Sequence, residues 1–297
     1  MTYYILANPF SGNGQGKRVT KALIPYLAQQ GISYELFETQ HAFDEARLIK
    51  VIMTQKTPLD RVLIIGGDGT LSLALNALPS DQTFSYIPAG SGNDFARAFG
   101  IPLNQPLKAF KQLHQANPKT IHVLKYDSQE MSGIAVNNIG IGLDAAIVAA
   151  TNKGEVKQLL NKIKLGRLAY LLNALAVLFS KRPFPITVNH TEFTQAFLFT
   201  MTKHPFFGGG IPLAPKGSLL ESDIHLVELD HFNLIGIVAL IPKVFKGKHF
   251  TNRHVHYQIG KTYTLSTTSE QPMQIDGETF VIKANKPLYV TTEERLI

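Results

Sequence analysis

The fold of this 297-residue chain is decided by the stretch Arg61-Val62-Leu63-Ile64-Ile65-Gly66-Gly67-Asp68-Gly69-Thr70. A short β-branched run that ends in a glycine turn with one acid is typical of the carboxyl end of a parallel strand, where open α/β sheets bind phosphates. Glycine lets backbone N–H groups approach phosphate oxygens closely. The apolar run that follows, residues 71–78, predicts a helix whose N-terminus points at the same place. An ordinary strand–turn–helix corner is the alternative interpretation of these residues alone.

Two further glycine-rich loops follow strand-like runs in the same part of the chain. The strand-like run at residues 3–7 precedes a loop at residues 8–17, and the run at residues 84–87 precedes a loop at residues 88–97. Each loop also stands before a helix-like run. Three such corners within about a hundred residues predict one shared ligand cleft.

The periodicity of apolar residues changes near Lys125. Strand-like and helix-like runs alternate before it, which predicts a parallel sheet with helices on both faces. After it the pattern is mainly that of strands, one of them at residues 134–138, with helical stretches at 155–180 and 232–246. We therefore expect an α/β domain over residues 1–125 and a mainly β domain over residues 126–297, whose last strand can return to the first domain.

Composition limits the class of protein. The chain has 44% hydrophobic residues, enough for two cores, and no cysteine, which excludes disulfides and cysteine-ligated metals. No secretory signal is visible. The most apolar stretches, residues 168–179 and 234–241, are shorter than the roughly 20 residues that span a bilayer. We expect a soluble, cytoplasmic chain.

The net charge of +7 is unevenly distributed. Residues 153–182 hold seven basic side chains and one acid among leucines at helical spacing, and a second basic and apolar patch runs from Lys243 through Lys248, His249 and Phe250. Such stretches fit an anionic lipid surface, or else the solvated face of a core helix. Nothing in the pattern indicates nucleic-acid binding.

Three motifs in this order and spacing resemble the diacylglycerol kinase catalytic family, which includes bacterial soluble lipid kinases and the sphingosine and ceramide kinases. They are Asn8-Pro9-Phe10-Ser11-Gly12, Gly66-Gly67-Asp68-Gly69-Thr70 and Gly90-Ser91-Gly92-Asn93-Asp94-Phe95-Ala96-Arg97. The resemblance covers essentially the whole chain, because further family motifs recur at residues 137–145, 208–210, 213–215, 247–249 and 276–278.

The resemblance implies a first domain similar to NAD kinases and phosphofructokinases, a β-sandwich second domain, and an active site in the cleft between them. It implies ATP- and Mg²⁺-dependent transfer of the γ-phosphoryl group to a lipid hydroxyl, with diacylglycerol as the first choice. The expected setting is the inner face of the membrane, bound peripherally, and the family allows homodimers. An NAD kinase-like phosphotransferase and a lipid- or nucleotide-binding pseudokinase stay open as alternatives.

The resemblance also assigns roles to single residues. Asp68 would organise the Mg²⁺, and either Asp276 or Glu278 would remove the proton from the lipid hydroxyl, with a pKa raised by desolvation. By local pattern alone, Asp276-Gly277 is equally well a type I′ hairpin turn. The residues expected to hold ATP are Asn8, Ser11, Gly12, Thr39, Gly66, Gly67, Asp68, Gly69, Thr70, Leu71, Ser72, Ser91, Gly92 and Asn93.

Two positions depart from the family pattern. Many bacterial members hold a structural Mg²⁺ with an Asp-Gly pair where this chain has Glu221 and Ser222. We expect Ser218, Glu221 and Asp223 to supply oxygen ligands if that site survives. His122 stands where the family often has an aspartate. Both departures count against full activity, and the pseudokinase alternative rests on them.

Overall fold

A computed structural model describes residues 1–143, 145 and 182–297 of the chain. The basic and apolar stretch predicted at residues 153–182 lies outside the described residues, except for Arg182, as does the helical stretch at 155–180. The described part confirms the predicted fold class: an N-terminal α/β domain with a parallel sheet is followed by an antiparallel, sandwich-like β domain.

The first domain is built on a four-stranded parallel sheet with the strand order β2-β1-β3-β4. Every residue of β1 and β4 is buried, as expected of a sheet that is covered on both faces. The strands are β1 Tyr3–Ala7, β2 Tyr34–Glu38, β3 Arg61–Gly66 and β4 Phe84–Pro88, and the helices are α1 Ser11–Gln29, α2 Glu45–Gln55, α3 Asp68–Ala77, α4 Asp94–Phe99 and α5 Pro106–Gln115.

The second domain is a continuous antiparallel sheet that surrounds its own core, which includes Ile141, Phe199 and Met273. Along its main path the strand order is β16-β15-β7-β9-β8-β14-β17-β5-β6, and β12 joins β9 to β13. The strands are β5 Thr120–Asp127, β6 Ser132–Ala135, β7 Asn138–Gly142, β8 Phe184–Val188, β9 Thr191–Thr202, β12 Ile224–Asp230, β13 Val255–Gly260, β14 Tyr263–Thr267, β15 Gln271–Ile275, β16 Glu278–Ile282 and β17 Leu288–Leu296, with the short pair β10 Phe206–Phe207 and β11 Ile211–Pro212.

The last strand joins the two domains. β17 pairs with β5 along its length, and Leu296 forms a parallel bridge with Thr83, next to the start of β4. Ile297 is buried in the first core together with Ile121 from β5. The boundary at residue 125 stays a prediction; the change of sheet occurs at β5.

The strand predicted at residues 134–138 is wrong as a single element. The chain leaves the sheet between β6 and β7, because the N–H groups of Val136, Asn137 and Asn138 turn toward the carboxylate of Asp276. A carboxylate that accepts three backbone N–H groups replaces the strand–strand bonds lost at this break.

Within the described residues a sixth helix, α6 Leu234–Phe245, packs on the second domain, where Leu240 joins a core cluster with Leu213 and Val227. Among the described residues, no helix is both long and apolar enough to span a bilayer. One part of the predicted basic patch is wrong: His249, in the 3₁₀ turn His249–Thr251, is buried against the Leu213 carbonyl oxygen, 2.9 Å from its Nε2.

Candidate functional site

The three predicted glycine loops meet at the carboxyl edge of the parallel sheet. A Cβ atom added to Gly90 would lie 2.6 Å from the Cα of Gly67, and one added to Gly12 would lie 2.2 Å from the carbonyl oxygen of Ala89. Gly12 also has a φ of +55°, in the left-handed region that favours glycine. Backbone can approach backbone this closely only because Gly90 and Gly12 carry no side chain at these contacts.

The first loop is joined to the second by side-chain hydrogen bonds. Asn8 Nδ2 donates to Thr70 Oγ1 at 3.0 Å and to Glu45 Oε1 at 3.4 Å, while Ser11 Oγ donates to the Asn8 carbonyl oxygen at 2.9 Å. Burial raises the pKa of Glu45. The sequence analysis missed Glu45, since a lone glutamate at a helix start carries no sign that it is buried.

Two predicted residues are placed by the sheet and by the core of the first domain. Thr39 follows β2, is buried, and donates its backbone N–H to the Ala7 carbonyl oxygen at 2.9 Å, beside the start of the first loop. The Leu71 side chain is buried in the first core, so Leu71 has only its backbone to offer to the cleft.

The third loop is closed by Asn93. Its Oδ1 accepts from the Gly90 N–H and its Nδ2 donates to the Gly90 carbonyl oxygen, both at 2.8 Å. Asn93 has a φ of +56°, which asparagine tolerates better than most residues. This ring of bonds leaves Ser91 exposed and Gly92 partly exposed at the loop tip.

Asp68 is the first residue of α3, and its side chain reaches the first turn of α4. Its Oδ2 accepts from the Asp94 N–H at 3.1 Å and its Oδ1 from the Phe95 N–H at 3.2 Å. Burial raises the pKa of Asp68 to about 6, and the negative charges of Asp94 and Asp276 act in the same direction.

Asp94 connects this loop with the second domain. Its Oδ2 accepts from the Gly209 N–H at 2.8 Å, and its Oδ1 lies 3.8 Å from Nε of Arg97. The Arg97 guanidinium also stacks over the Phe206 ring, 5.6 Å from its centroid. The glycine run at residues 208–210 therefore covers one side of the cleft.

Asp276 lies in the cleft from the side of the second domain. It forms a two-residue turn with Gly277 between β15 and β16, with φ values of +50° and +90°, as in a type I′ hairpin. Its Oδ2 accepts from the Val136 N–H at 2.7 Å, and its Oδ1 accepts from the N–H groups of Asn137 at 2.8 Å and Asn138 at 3.0 Å.

The Ser72 hydroxyl of α3 faces Asp276 across the domain junction. Burial raises the pKa of Asp276, while the Ser72 hydroxyl and the hydrogen bonds from the three backbone groups lower it. The structure thus brings Asp68, Ser72 and Asp276 together, and the charge of Asp276 acts on Asp68.

Glu278 differs from Asp276 in its surroundings. It is exposed at the start of β16, directly opposite Ile275 of β15. Residues that are opposite each other in an antiparallel pair lie on the same face of the sheet, and so do alternate residues along one strand. Glu278 therefore lies on the same face as Ile275 and the partly exposed Phe280. Its side chain is exposed, two residues before Phe280 on the same face of β16.

The cleft carboxylates supply oxygen atoms of the kind that a divalent cation binds. Among the described residues, however, the group of three possible ligands whose atoms lie within 4.8 Å of one another is Glu228, Asp230 and His256, not the cleft carboxylates. Asp68 and Asp94 belong to adjacent helix starts, Asp276 faces them, and their mutual repulsion contributes to the raised pKa of Asp68. A bound cation would relieve that repulsion, and oxygen ligands suit Mg²⁺.

The residues expected to form a second metal site do not fit one. The ammonium of Lys203 donates to the carbonyl oxygen of Glu221 at 2.6 Å and also to that of Asp223. The Asp223 carboxylate pairs instead with Lys261 at 2.8 Å, and Ser218 Oγ accepts from the Leu220 N–H at 3.2 Å. A positive charge already lies on the backbone oxygens that a metal would need.

Two family models match this chain. That of the diacylglycerol kinase catalytic domain matches residues 2–126, and that of the YegS C-terminal NAD kinase beta sandwich-like domain matches residues 137–292. The two matches cover the parallel-sheet domain and most of the antiparallel one.

Similar proteins align over most of their length. A Bacillus subtilis protein named "Putative lipid kinase YtlR" is 29% identical over 93% of this chain and 93% of its own. A Bacillus subtilis diacylglycerol kinase is 28% identical over 92% of this chain and 88% of its own. A solved structure from Bacillus anthracis str. Sterne, described as a putative diacylglycerol kinase, has the same fold, with a TM-score of 0.73 at 22% identity over 98% of this chain and 93% of that one.

Proposed function

Since the chain belongs to the diacylglycerol kinase catalytic-domain family, we propose that it is an ATP- and Mg²⁺-dependent lipid kinase that phosphorylates a lipid hydroxyl. Diacylglycerol is the first choice of acceptor, because relatives that carry this name align over most of the chain. The observation that carries the proposal is the approach of Asp68 and Asp276 from different domains to one cleft beside three glycine loops.

ATP would lie along the carboxyl edge of the parallel sheet. The backbone of residues 66–70 and 91–93 would face its phosphates, since the glycines leave room there and the N-termini of α3 and α4 favour negative charge. Asn8, Ser11, Gly12 and Thr39 would border the nucleotide from the ends of β1 and β2.

Asp68 would hold the Mg²⁺, with Asp94 behind it. When bound, this ion would neutralise negative charge on the γ-phosphoryl group during its transfer. The backbone N–H groups of Asp94 and Phe95 fix the Asp68 carboxylate before any ligand arrives. Preorganisation of this kind lowers the reorganisation needed for transfer.

We assign the general base to Glu278 and a positioning role to Asp276. A carboxylate has about four lone-pair positions, and three of those of Asp276 already accept from backbone N–H groups, with the Ser72 hydroxyl close by. Glu278 is exposed and stands beside Phe280, so it can meet a hydroxyl whose tail rests on apolar surface. It would take the hydroxyl proton as the oxygen attacks the γ-phosphorus.

Peripheral attachment to an anionic membrane is supported by α6. Ile235, Val238 and Phe245 are exposed apolar residues on it, Ile235 with 83% of its surface in solvent. Lys243 and Lys246 are exposed at its end, and each lysine near an anionic surface adds about 1 kcal/mol to the free energy of membrane binding.

Co-sedimentation with anionic vesicles tests this attachment. It should weaken in Lys243→Glu/Lys246→Glu and not in the first-domain control Lys21→Glu/Lys50→Glu. Equal binding of both variants would remove α6 from the proposal.

The function itself is tested with radiolabelled ATP and Mg²⁺ in mixed micelles. The panel of acceptors contains diacylglycerol, monoacylglycerol, phosphatidylglycerol, a sphingoid base and a polyprenol, and NAD is offered separately. We expect label on one lipid, diacylglycerol first. Label on NAD alone would favour the NAD kinase-like alternative. ATP binding without transfer to any acceptor would favour the pseudokinase.

Light scattering on a sizing column would test the homodimer that the family allows.

A further inference from the structure

Lys203 is a lysine with no exposed surface. It follows directly after the end of β9, and its ammonium lies against the loop at residues 218–223, where it donates to the carbonyl oxygens of Glu221 and Asp223. A fully buried lysine is rare unless its charge is compensated, and here backbone oxygens supply the compensation.

The two departures from the family pattern surround this ammonium. Glu221 replaces the aspartate of the expected metal pair, and its carbonyl oxygen accepts from Lys203 at 2.6 Å. His122 stands where the family often has an aspartate. Burial lowers the pKa of His122, and the positive charge of Lys203 lowers it further. Glu221 and His122 thus both lie close to the Lys203 ammonium, and only the position of His122 has lost a carboxylate.

The same loop holds the two domains together. The Leu219 side chain is buried in the first core, and its carbonyl oxygen accepts from the His122 N–H at 2.8 Å. On the outer side of the loop, the exposed ammonium of Lys261 pairs with the Asp223 carboxylate at 2.8 Å and donates to Ser222 Oγ at 2.7 Å. The Asp223 carboxylate is therefore directed to an exposed partner.

We propose that the Lys203 ammonium is a built-in cation that takes the place of a divalent metal in the loop at residues 218–223, so that this part of the fold is independent of Mg²⁺. Carbonyl oxygens that converge on a metal converge equally well on an ammonium, which has three donors. With one positive charge in place of two, the site no longer needs a carboxylate ligand.

The position of Lys203 also connects it to the cleft. The next residue, His204, has its Nε2 2.8 Å from Asn137 Oδ1, and the Asn137 N–H donates to Asp276. A loop held by this internal ammonium therefore supports the turn that carries Asp276, whatever the Mg²⁺ concentration.

The test is thermal unfolding in EDTA and in excess Mg²⁺, measured in an Asp68→Asn background that removes the cleft carboxylate. We expect the melting temperature of this protein to be the same in both buffers. Lys203→Met should lower it by more than about 5 °C, because two backbone carbonyls lose a charged partner. The matched control, Lys261→Met, removes an exposed lysine from the same loop and should lower it by less than about 2 °C.

A second variant tests whether the loop at residues 218–223 can bind a divalent metal once the ammonium is removed. Lys203→Ala/Glu221→Asp/Ser222→Gly removes the ammonium and restores the Asp-Gly pair, and its melting temperature should rise with added Mg²⁺ or Ca²⁺. If neither Mg²⁺ nor Ca²⁺ raises the melting temperature of this variant, the proposal that the ammonium and a metal share one position is contradicted.

If Lys203→Met fails to fold, measurements on the protein with Lys203 intact still test the proposal. A melting temperature that falls in EDTA, or one equivalent of divalent metal retained after dialysis in elemental analysis, would overturn it. None of these measurements uses kinase activity, so failure of the proposed function would leave this result unaffected.

Discussion

Ser72 and Asp276 approach each other from the two domains: the hydroxyl on α3 acts on the carboxylate in the turn between β15 and β16 and lowers its pKa. Ser72 lies one helical turn after Asp68, on the same side of α3. This approach therefore links α3 to the turn that carries Asp276, in addition to the bridge between Leu296 and Thr83.

Removal of the Ser72 hydroxyl should affect the reaction more than the fold. In Ser72→Ala, Asp276 loses the hydroxyl that lowers its pKa, and we expect kcat/KM for lipid phosphorylation to fall about tenfold, equivalent to roughly 1.4 kcal/mol. The matched control is Ser85→Ala, which removes a buried hydroxyl from β4 in the same domain. Steady-state kinetics compare the two; equal rates in both variants would contradict a role for the Ser72 hydroxyl at the domain junction.

Asp276 and Glu278 should separate into a structural and a chemical role. Asp276→Asn leaves three backbone N–H groups with a poorer acceptor, so we expect a loss of about 2 kcal/mol in unfolding free energy together with lost activity. Glu278→Gln changes an exposed side chain and should lower kcat at least about 100-fold with an unchanged melting temperature.

Chemical denaturation and single-turnover transfer rates measure both effects. If Glu278→Gln keeps its transfer rate while Asp276→Asn loses it without destabilisation, the assignment of the base is reversed.

The close approach of the glycine loops predicts opposite effects of two glycine-to-alanine changes. Gly90→Ala would place a Cβ 2.6 Å from the Cα of Gly67 and should destabilise the protein by about 2 kcal/mol. Gly69 lies in α3 with nothing within 4 Å of an added Cβ, so Gly69→Ala should stabilise it by up to about 1 kcal/mol. Urea unfolding checks both. A Gly90→Ala protein as stable as the Gly69→Ala protein would contradict the contact between the loops.

Glu228 makes the stability depend on pH. It is fully buried in β12, and within the described part of the chain neither carboxylate oxygen has a hydrogen-bond partner. Burial raises its pKa to about 9, and the charge of Asp230 adds to the shift. Because the folded pKa exceeds the unfolded one, the unfolded state loses its proton first as the pH rises. Stability should therefore fall between about pH 4.5 and pH 9.

Glu228→Gln should remove this slope and gain about 3 kcal/mol at pH 7. Glu192→Gln, an exposed glutamate of β9, is the control and should keep the wild-type profile. Unfolding free energies measured across this pH range would contradict the account if the profiles of the two variants coincide.

The sequence predicts the first domain well because its signals are local. Glycine loops directly behind buried strands predict β1, β3 and β4 and the edge where the loops meet. The local sequence also predicts the turn at Asp276-Gly277, because a two-residue turn with positive φ has its own residue preferences. The nucleotide, metal and base assignments of these residues stay predictions.

Long-range contacts explain what the sequence did not predict. The break between β6 and β7 depends on Asp276, which is 140 residues from Val136 along the chain. Glu45 and Lys203 are single charged residues whose burial depends on the packing of other elements. No local pattern separates them from solvated side chains.

The most direct test of the central claim compares label transfer from ATP to diacylglycerol by the wild-type protein, Asp68→Asn and Glu278→Gln, with ATP binding measured in parallel. The account predicts phosphatidic acid from the wild type and a loss of at least about 100-fold in both variants, with ATP still bound by Glu278→Gln. Undiminished transfer by either variant, or wild-type binding of ATP without transfer to any lipid, would contradict a phosphoryl-transfer site between the two domains.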